Sequence, residues 1–360
     1  MLVDPALFEG VLRSTPIGSI RGRVIEVLGP VIKVELEGVL TGDFVSIERD
    51  CGALLAQVVG FSGESVVVAP FGLPLGIGPG AGAEIIGQQP SITVGPHLLG
   101  SVVDGLGKIQ AKIPASSIPG EAFASREMPL YGNPPSPLAR HEITEPFVTG
   151  IRSIDAFLTI AVGQRISVFA EPGVGKSTLM TLTARSSSAA VNVFGLIGER
   201  GREVGDFLRE LELRGVRGRS IVVASTSDEP APMRVSAALT ATAIAEYFRD
   251  CGLNVLLQVD SLTRLLRALR EIGLAAGEMP VRRGYPASVY AQLPRLIERT
   301  GMGTRGSITA LYTVLLAGES EEDPMVEEIK GLTDGHFVLR RELAERGIYP
   351  AIDVLASISR

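Results

Sequence analysis

The sequence predicts an α/β protein in which a small N-terminal β-barrel precedes a parallel sheet with helices on both faces. Two observations support this prediction. Short β-rich runs separated by Gly and Pro turns fill the N-terminal part, and apolar runs that alternate with helical stretches follow them. The first pattern is typical of a barrel or sandwich, and the second of a parallel sheet. The chain has 360 residues, 45% of them hydrophobic, which is enough for more than one core.

The barrel is predicted over residues 20–90, after a flexible arm at 1–19. The arm contains Pro5 and Pro16 and has no strand pattern, so we expect it to be mobile. The barrel prediction rests on five short runs: RGRVIEVLG, PVIKVELEG, GDFVSIERD, ALLAQVVGF and SVVVAPFG. A sheet that continues into the following domain is the alternative that this pattern leaves open.

The second domain is predicted over residues 91–360, with a Pro/Gly-rich surface connection at 115–140. Its buried strands are predicted in QRISVFA, AVNVFGLIG, RSIVVAST, NVLLQVD and ITALYTVLL. Helices are predicted in KSTLMTLTARSS, REVGDFLRELELRG and MRVSAALTATAIAEYFRDCG. Strands that alternate with helices in this way form a parallel sheet.

Charge and cysteine content narrow the class of protein. A net charge of −6 and a pI near 5.4 argue against a nucleic-acid groove, which is normally strongly basic. Two cysteines, Cys51 and Cys251, do not make a disulfide framework, so a reducing cytoplasm is expected. The first residues lack the pattern of a signal peptide, and no apolar run reaches the roughly 18 residues of a membrane span.

A phosphate-binding loop is predicted between the first strand and the first helix of the second domain. The segment AEPGVGKST follows an apolar strand and opens a helix, which is the context that such a loop requires. Ala170 stands where the G-x-x-x-x-G-K-[ST] pattern has its first glycine, and a methyl group fits there if φ is negative. Lys176 is expected to reach the β- and γ-phosphates of a nucleotide, and Ser177 to bind Mg²⁺. The predicted nucleotide-contacting residues are Glu171, Pro172, Gly173, Val174, Gly175, Lys176, Ser177 and Thr178.

Two further strand ends supply acidic side chains. Asp260 ends the run NVLLQVD, and its carboxylate is expected to hold Mg²⁺ through water. Glu199 and Arg200 follow another buried strand in LIGERGREV, where strand ends converge. Glu199 is expected to polarise the attacking water, and Arg200 to steady that water or contact the γ-phosphate. The alternatives are a helix N-cap for Asp260 and a solvated charged loop for Glu199 and Arg200.

Several segments together resemble one family. They are FAEPGVGKSTLM, LIGERGREVGDF, TAIAEYFRDCG, DSLTRLLRALREIGLAAGE, GYPASVYAQLPRLIERTG, GSITALYTVLL and YPAIDVLASISR. From residue 20 onward, the chain resembles the ATPases of type III protein secretion systems. The flagellar export ATPases are the nearest siblings of that family, and the catalytic subunits of rotary ATP synthases are more distant relatives.

The resemblance implies a RecA-like ATPase core and a barrel that joins subunits into a ring. It implies ATP and Mg²⁺ as cofactors, Glu199 as the catalytic carboxylate and Arg264 as a further phosphate-side arginine. Tyr349 matches the aromatic residue near adenine, and Arg360 matches the arginine finger that reaches the ATP of a neighbouring subunit. The family continues into a C-terminal helical domain after this arginine, so that domain is expected to be absent here. Gln258 is a departure, because it places an amide in a strand that is usually apolar.

The implied partners are identical subunits in a hexameric ring, stalk and regulator proteins of the export apparatus, secreted substrates and their chaperones. The implied location is the bacterial cytoplasm, peripheral to the inner-membrane export apparatus, with no nucleic acid bound. The resemblance implies chaperone release and substrate unfolding for type III export, driven by ATP hydrolysis. Alternatives are a flagellar export ATPase, a non-hydrolysing ring subunit, which by resemblance lacks a carboxylate at position 199, and a ring-shaped RNA translocase, which the acidic pI opposes.

Overall fold

A computed structural model describes residues 21–87, 90–116, 123–316 and 324–360. The described chain divides into two compact units. The first contains residues 21–87 together with Ala275–Gly277, and the second contains the remaining described residues. The predicted arm at 1–19 lies outside the described residues.

The first unit is a closed barrel of six antiparallel strands in the order β1-β2-β5-β4-β3-β6. Buried Val, Ile, Leu and Ala side chains from all six strands fill the barrel with apolar atoms. The predicted barrel is confirmed, and because it closes on itself, it does not continue into the next sheet. The strands are β1 (Arg21–Leu28), β2 (Val31–Glu35), β3 (Phe44–Ile47), β4 (Leu54–Ser62), β5 (Ser65–Pro70) and β6 (Gly82–Gly87).

The second unit is built on a mixed sheet in the order β22-β21-β13-β20-β16-β14-β15-β8-β9. The strands from β21 to β8 in this order are parallel, as predicted, and antiparallel strands β22 and β9 flank them. The strands are β8 (Ser101–Val103), β9 (Ile109–Lys112), β13 (Arg165–Ala170), β14 (Val191–Glu199), β15 (Ser220–Thr226), β16 (Asn254–Asp260), β20 (Ser307–Leu315), β21 (Gly335–Leu339) and β22 (Ile352–Ser359). Short β19 (Gly301–Met302) pairs with β20.

The second unit also contains short two-stranded ribbons. β7 (Ser91–Val94) pairs with β10 (Arg126–Pro129), and the hydroxyl of Tyr247 donates to the carbonyl of Ala124, 2.9 Å away. The connection predicted at 115–140 therefore contains a strand where the sequence showed no regular pattern. The other ribbons join β11 (Pro146–Phe147) to β12 (Ile160–Ala161), and β17 (Pro280–Arg282) to β18 (Tyr285–Pro286).

Helices follow most of the parallel strands, and their apolar residues pack on the sheet. The longest described helix is α4, which is buried along nearly its whole length. The helices are α1 (Arg152–Phe157), α2 (Lys176–Ser186), α3 (Gly201–Leu213), α4 (Ala231–Asp250), α5 (Leu262–Ala275), α6 (Ala287–Glu298), α7 (Pro324–Leu332) and α8 (Arg341–Glu345). Among the described residues, no helix is both long and apolar enough to cross a membrane.

Candidate functional site

Three parallel strands of the central sheet end at the same edge. Strand β13 ends at Ala170, β14 at Glu199 and β16 at Asp260. Since β13, β20, β16 and β14 are adjacent and parallel, their carboxyl ends meet. In parallel sheets this edge is where ligands bind. We call it the carboxyl edge, and the opposite end of the same strands the amino edge.

The loop after β13 has the geometry of a phosphate-binding loop. Gly173 and Gly175 have φ values of +85° and +94°, a region that favours glycine because it has no Cβ. Helix α2 begins at Lys176, so its free N–H groups and positive dipole end face the loop. Ala170 is fully buried at the strand end and has no positive φ. Its methyl group therefore meets no backbone strain in place of the family's glycine.

Four charged side chains meet at the carboxyl edge. The Lys176 ammonium lies 2.5 Å from Asp260 Oδ1 and 3.5 Å from Glu199 Oε1. Arg264, from α5, lies 3.1 Å from Glu199 Oε2 and also donates to the carbonyl of Gly198. The structure thus brings together Lys176, Glu199 and Asp260, which the sequence pattern predicted at this site, and Arg264, which the family resemblance implied. The ammonium group of Lys176 is thus paired with both carboxylates.

Glu199 is the carboxylate with the most unusual environment. Only 6% of the residue is exposed, and Oε1 has no hydrogen-bond partner in the described part of the chain. Burial, a hydrogen bond with the Glu203 carboxyl and the charge of Asp260 raise its pKa to about 7, against the opposing charges of Lys176 and Arg264. A carboxylate with a pKa near neutrality is suited to hold and polarise a water molecule.

Asp260 has a partner that the sequence did not reveal. The hydroxyl of Thr313 on β20 donates to Asp260 Oδ1 at 2.7 Å. Behind the site, Gln258 donates from its buried amide to the carbonyl of Met180 at 3.1 Å. That bond gives the amide of Gln258 a partner in α2, and it ties this helix to the strand that ends at Asp260.

Arg200 lies apart from this cluster. Its side chain is 78% exposed and forms an ion pair of 3.0 Å with Glu203, three residues further along the chain. The described structure therefore does not bring Arg200 to the four charges. Its predicted contact with water or the γ-phosphate stays a prediction.

The predicted base-contacting residue lies beside the loop. The ring of Tyr349 is so close to Gly175 that a Cβ there would lie 3.0 Å from Cε1, and about half of the residue is exposed. Arg341, at the start of α8, lies 2.9 Å from Glu171 Oε2 and 3.3 Å from the carbonyl oxygen of Pro172. The sequence reasoning missed Arg341, because nothing local marks it as a partner of the loop.

Arg360 lies at the amino edge. Strand β22 runs antiparallel to β21, so Ser359 pairs with Gly335, the first residue of β21. The Arg360 N–H donates to the carbonyl of Asp334, and the Arg360 carbonyl accepts from the side chain of Gln164. The six residues of β13 separate this edge from the loop, which is about 20 Å at 3.3 Å per residue.

The donor set fits a magnesium ion that arrives with a nucleotide. No group of three or more His, Cys, Asp or Glu side chains is placed to hold a metal within the described ranges. The predicted ligands are the hydroxyl of Ser177 and the carboxylate of Asp260. Mg²⁺ commonly binds through one or two protein oxygens, the phosphates of the substrate and water.

The sequence of the chain is similar to a protein family and to individual proteins of known function. The family model of the ATP synthase alpha/beta family, nucleotide-binding domain, matches residues 150–359. A type 3 secretion system ATPase of Xanthomonas euvesicatoria is 47% identical over 366 residues, which cover 100% of this chain and 81% of that protein. A flagellum-specific ATP synthase of Bacillus subtilis is 46% identical over 344 residues, which cover 94% of this chain and 77% of that protein.

Solved structures agree with these sequence matches. The assembled ATPase EscN from the type III secretion system of enteropathogenic E. coli gives a TM-score of 0.85 at 44% identity. That match covers 94% of this chain and 80% of EscN. EscN in complex with its central stalk EscO gives a TM-score of 0.82, also at 44% identity, with the same shares of the two chains covered.

Proposed function

The chain belongs to the ATP synthase alpha/beta family and, within it, to the type 3 secretion system ATPases, and we propose that it hydrolyses ATP with Mg²⁺ in a ring of identical subunits to drive protein export. The observation that supports this most directly is the carboxyl edge. Lys176 lies within contact distance of both Glu199 and Asp260, beside a glycine loop. The presence of Glu199 favours hydrolysis over the alternative of a non-hydrolysing ring subunit.

Several residues of one chain have distinct proposed roles in phosphoryl transfer. Lys176 moves from Asp260 to the β- and γ-phosphates, where its charge balances theirs. Glu199 accepts a hydrogen bond from the attacking water and orients its lone pair toward the γ-phosphorus. Arg264 holds the Glu199 carboxylate in place. Mg²⁺, held by Ser177 and Asp260 when bound, supplies charge neutralisation on the phosphate oxygens.

A neighbouring subunit completes the site. Arg360 lies about 20 Å from the loop of its own chain by the strand length of β13, too far to contact the same nucleotide. The guanidinium carries a permanent charge and a planar fork that can meet γ-phosphate oxygens, a contribution of about 10³–10⁵ in turnover where arginine fingers act. Head-to-tail contacts of this kind close into a cyclic oligomer, for which we propose a hexamer.

The export function brings further proposed partners. EscN, a similar protein, has been solved in complex with a central stalk, EscO. We propose a stalk, regulator proteins, chaperones and secreted substrates as partners of this chain, and a cytoplasmic location at the inner-membrane export apparatus. Chaperone release and substrate unfolding are the proposed uses of the ATP energy. The secretion and flagellar relatives are almost equally similar to the chain, at 47% and 46% identity.

Mixing two inactive variants tests the shared site. Arg360→Ala keeps an intact loop and Lys176→Ala keeps an intact finger, so each is expected to lack turnover alone. In mixed rings, some interfaces pair an intact loop with an intact Arg360, and ATP turnover is expected to return in part. Turnover of the unmodified chain is expected to rise more than linearly with protein concentration.

The controls separate assembly from chemistry. Cross-linking or light scattering first shows that the two variants assemble together. A mixture of Arg360→Ala with the double variant Lys176→Ala, Arg360→Ala has no complete interface and must stay inactive. No recovery in a co-assembled mixture of the two single variants would refute the proposed trans-acting finger.

A further inference from the structure

One buried hydroxyl lies between the two strands that carry the nucleotide machinery. Strand β20 is hydrogen-bonded to β13, which leads into the loop, and to β16, which ends at Asp260. Thr313 on β20 is 1% exposed, and its Oγ1 lies 2.7 Å from Asp260 Oδ1 and 3.3 Å from the carbonyl oxygen of Val259. A hydroxyl has one proton to donate, and the shorter contact to a charged acceptor is the stronger one.

This hydroxyl shares one carboxylate oxygen with Lys176. The ammonium also contacts Oδ1 of Asp260, at 2.5 Å. Under the proposed function, Lys176 turns to the phosphates when a nucleotide binds. Asp260, 3% exposed, then loses its cation, while the bond from Thr313 does not depend on the nucleotide. Buried carboxylates need such donors, because an unpaired buried charge is costly.

We propose that Thr313 is a positioning residue for Mg²⁺ binding: its hydroxyl donates to Oδ1 of Asp260 and fixes the orientation of the carboxylate that would face the metal. This inference rests on the proposed function, since it assumes that Asp260 faces Mg²⁺ of a bound nucleotide. Groups that orient a metal-side ligand affect metal affinity by about 10–100-fold when they are removed. The hydroxyl therefore sets the contribution of Mg²⁺ to nucleotide affinity, while Lys176 and the loop set the contribution of the phosphates.

The same strand offers a matched control. Thr309 lies four residues before Thr313 and therefore on the same face of β20, and it is also buried. Its hydroxyl accepts from the N–H of Gly163 at 2.9 Å, near the amino edge. Thr309→Val and Thr313→Val make the same chemical change in equally buried positions, but only the second removes a partner of Asp260.

The experiment measures ADP affinity by calorimetry, once with Mg²⁺ and once with EDTA. The ratio of the two dissociation constants is the gain from Mg²⁺. Thr313→Val is expected to lower this gain about tenfold and leave affinity in EDTA unchanged. Thr313→Ser, which keeps the hydroxyl, is expected to restore most of the gain. Thr309→Val is expected to keep the full gain, and melting curves report the stability of each variant.

Two results separate the inference from the function on which it rests. If Thr313→Val and Thr309→Val keep the same gain as the unmodified chain, the inference is overturned and the proposed function stands. If the unmodified chain binds ADP with no gain from Mg²⁺, both the inference and the proposed function are overturned. Should Thr313→Val fail to fold, Thr313→Ala replaces it, because it removes the same hydroxyl without adding a methyl group. The results expected for Thr313→Ala, and those that would overturn the inference, are the same as for Thr313→Val.

Discussion

The two edges of the central sheet both carry paired charges, but the pairs differ in character. At the carboxyl edge, Lys176 lies between Asp260 and Glu199 at 2.5 and 3.5 Å. At the amino edge, Arg165 pairs with Asp334 at 3.0 Å and with Glu298 at 2.6 Å. Distances alone do not distinguish the proposed catalytic site from a structural network of ion pairs.

The pKa shifts distinguish the two edges. Burial raises the pKa of Glu199 to about 7, so its charged form is destabilised at the carboxyl edge. At the amino edge, burial lowers the pKa of Arg165, but hydrogen bonds and charges from Asp334 and Glu298 more than offset this and raise it overall. The charged form of Arg165 is thus stabilised at the amino edge, whereas the charged form of Glu199 is destabilised at the carboxyl edge. This is the difference expected between a structural ion pair and a candidate catalytic carboxylate.

The largest expected effect is a loss of ATP turnover. It is tested by substituting one glutamate at each edge. Glu199→Gln keeps the shape of the side chain but removes the acceptor charge, so we expect turnover to fall by about 10²–10⁴ with ADP affinity nearly unchanged. Glu298→Gln weakens the ion pairs of Arg165 and is expected to lower the melting temperature with little change in turnover. Single-turnover and binding measurements on both variants test this. Equal losses of turnover would remove the distinction between the edges.

The pH dependence of stability sharpens the same comparison. Glu199 has an ordinary pKa of 4.5 when unfolded and a pKa of about 7 in the fold, so the folded chain holds its proton more tightly. Between these values the folded state binds more protons than the unfolded state, and stability must fall as the pH rises. Relative to Glu199→Gln, the unmodified nucleotide-free chain is therefore expected to lose stability from about pH 4.5 to 7 and then level off. Urea unfolding of both chains across this range measures the difference, and a difference independent of pH would contradict it.

The carboxyl edge was largely predictable because its signals are local. A glycine loop between a strand and a helix marks Lys176, and carboxylates directly after apolar runs mark Glu199 and Asp260. The last residues of parallel strands lie at the same edge of a sheet. The positions of these residues at the ends of predicted strands were therefore enough to predict that they lie close together. The closed barrel was predictable for a similar reason, since turns and alternating apolar residues mark each short strand.

The partners of these residues were not predictable, because they come from distant parts of the chain. Thr313 lies in an apolar run and resembles any buried Thr until the strand order places it beside Asp260. Gln258 appeared as an anomaly for the same reason, and its acceptor belongs to Met180 in α2. Arg200 shows the opposite case: its neighbour in sequence is at the site, while its own side chain turns to solvent.

A smaller effect, on KM for ATP, is expected when Tyr349, the predicted base-contacting residue, is substituted. Tyr349 lies against Gly175 at the outer side of the loop. Stacking on a base contributes about 1–3 kcal/mol, so Tyr349→Ala is expected to raise KM for ATP about tenfold. KM for inorganic tripolyphosphate, which has no base, is expected to change little. Phe157→Ala removes another exposed aromatic ring and serves as the control. Equal changes for both substrates would place Tyr349 away from the base.

The smallest expected effect concerns the ion pair that joins α8 to the loop. Arg341 contacts Glu171 at 2.9 Å, but the two side chains are 50% and 31% exposed. Exposed pairs contribute about 0.2–1 kcal/mol, and salt screens them. Because α8 precedes the turn that carries Tyr349, loss of the pair is expected to loosen the base side of the site more than the phosphate side. Glu171→Gln is therefore expected to raise KM for ATP by less than about fivefold at low salt and by less still at high salt.

A double-mutant cycle of Glu171→Gln and Arg341→Gln isolates this pair from the second contact of Arg341, with the Pro172 carbonyl. A coupling below about 1 kcal/mol that shrinks with salt is the result expected for an exposed pair. A coupling several times larger, unchanged by salt, would mean that the loop depends on Arg341 for its shape. The carboxyl edge would then extend beyond its buried charges into α8, and the contrast with the amino edge would need to include an exposed pair among the groups that form the site.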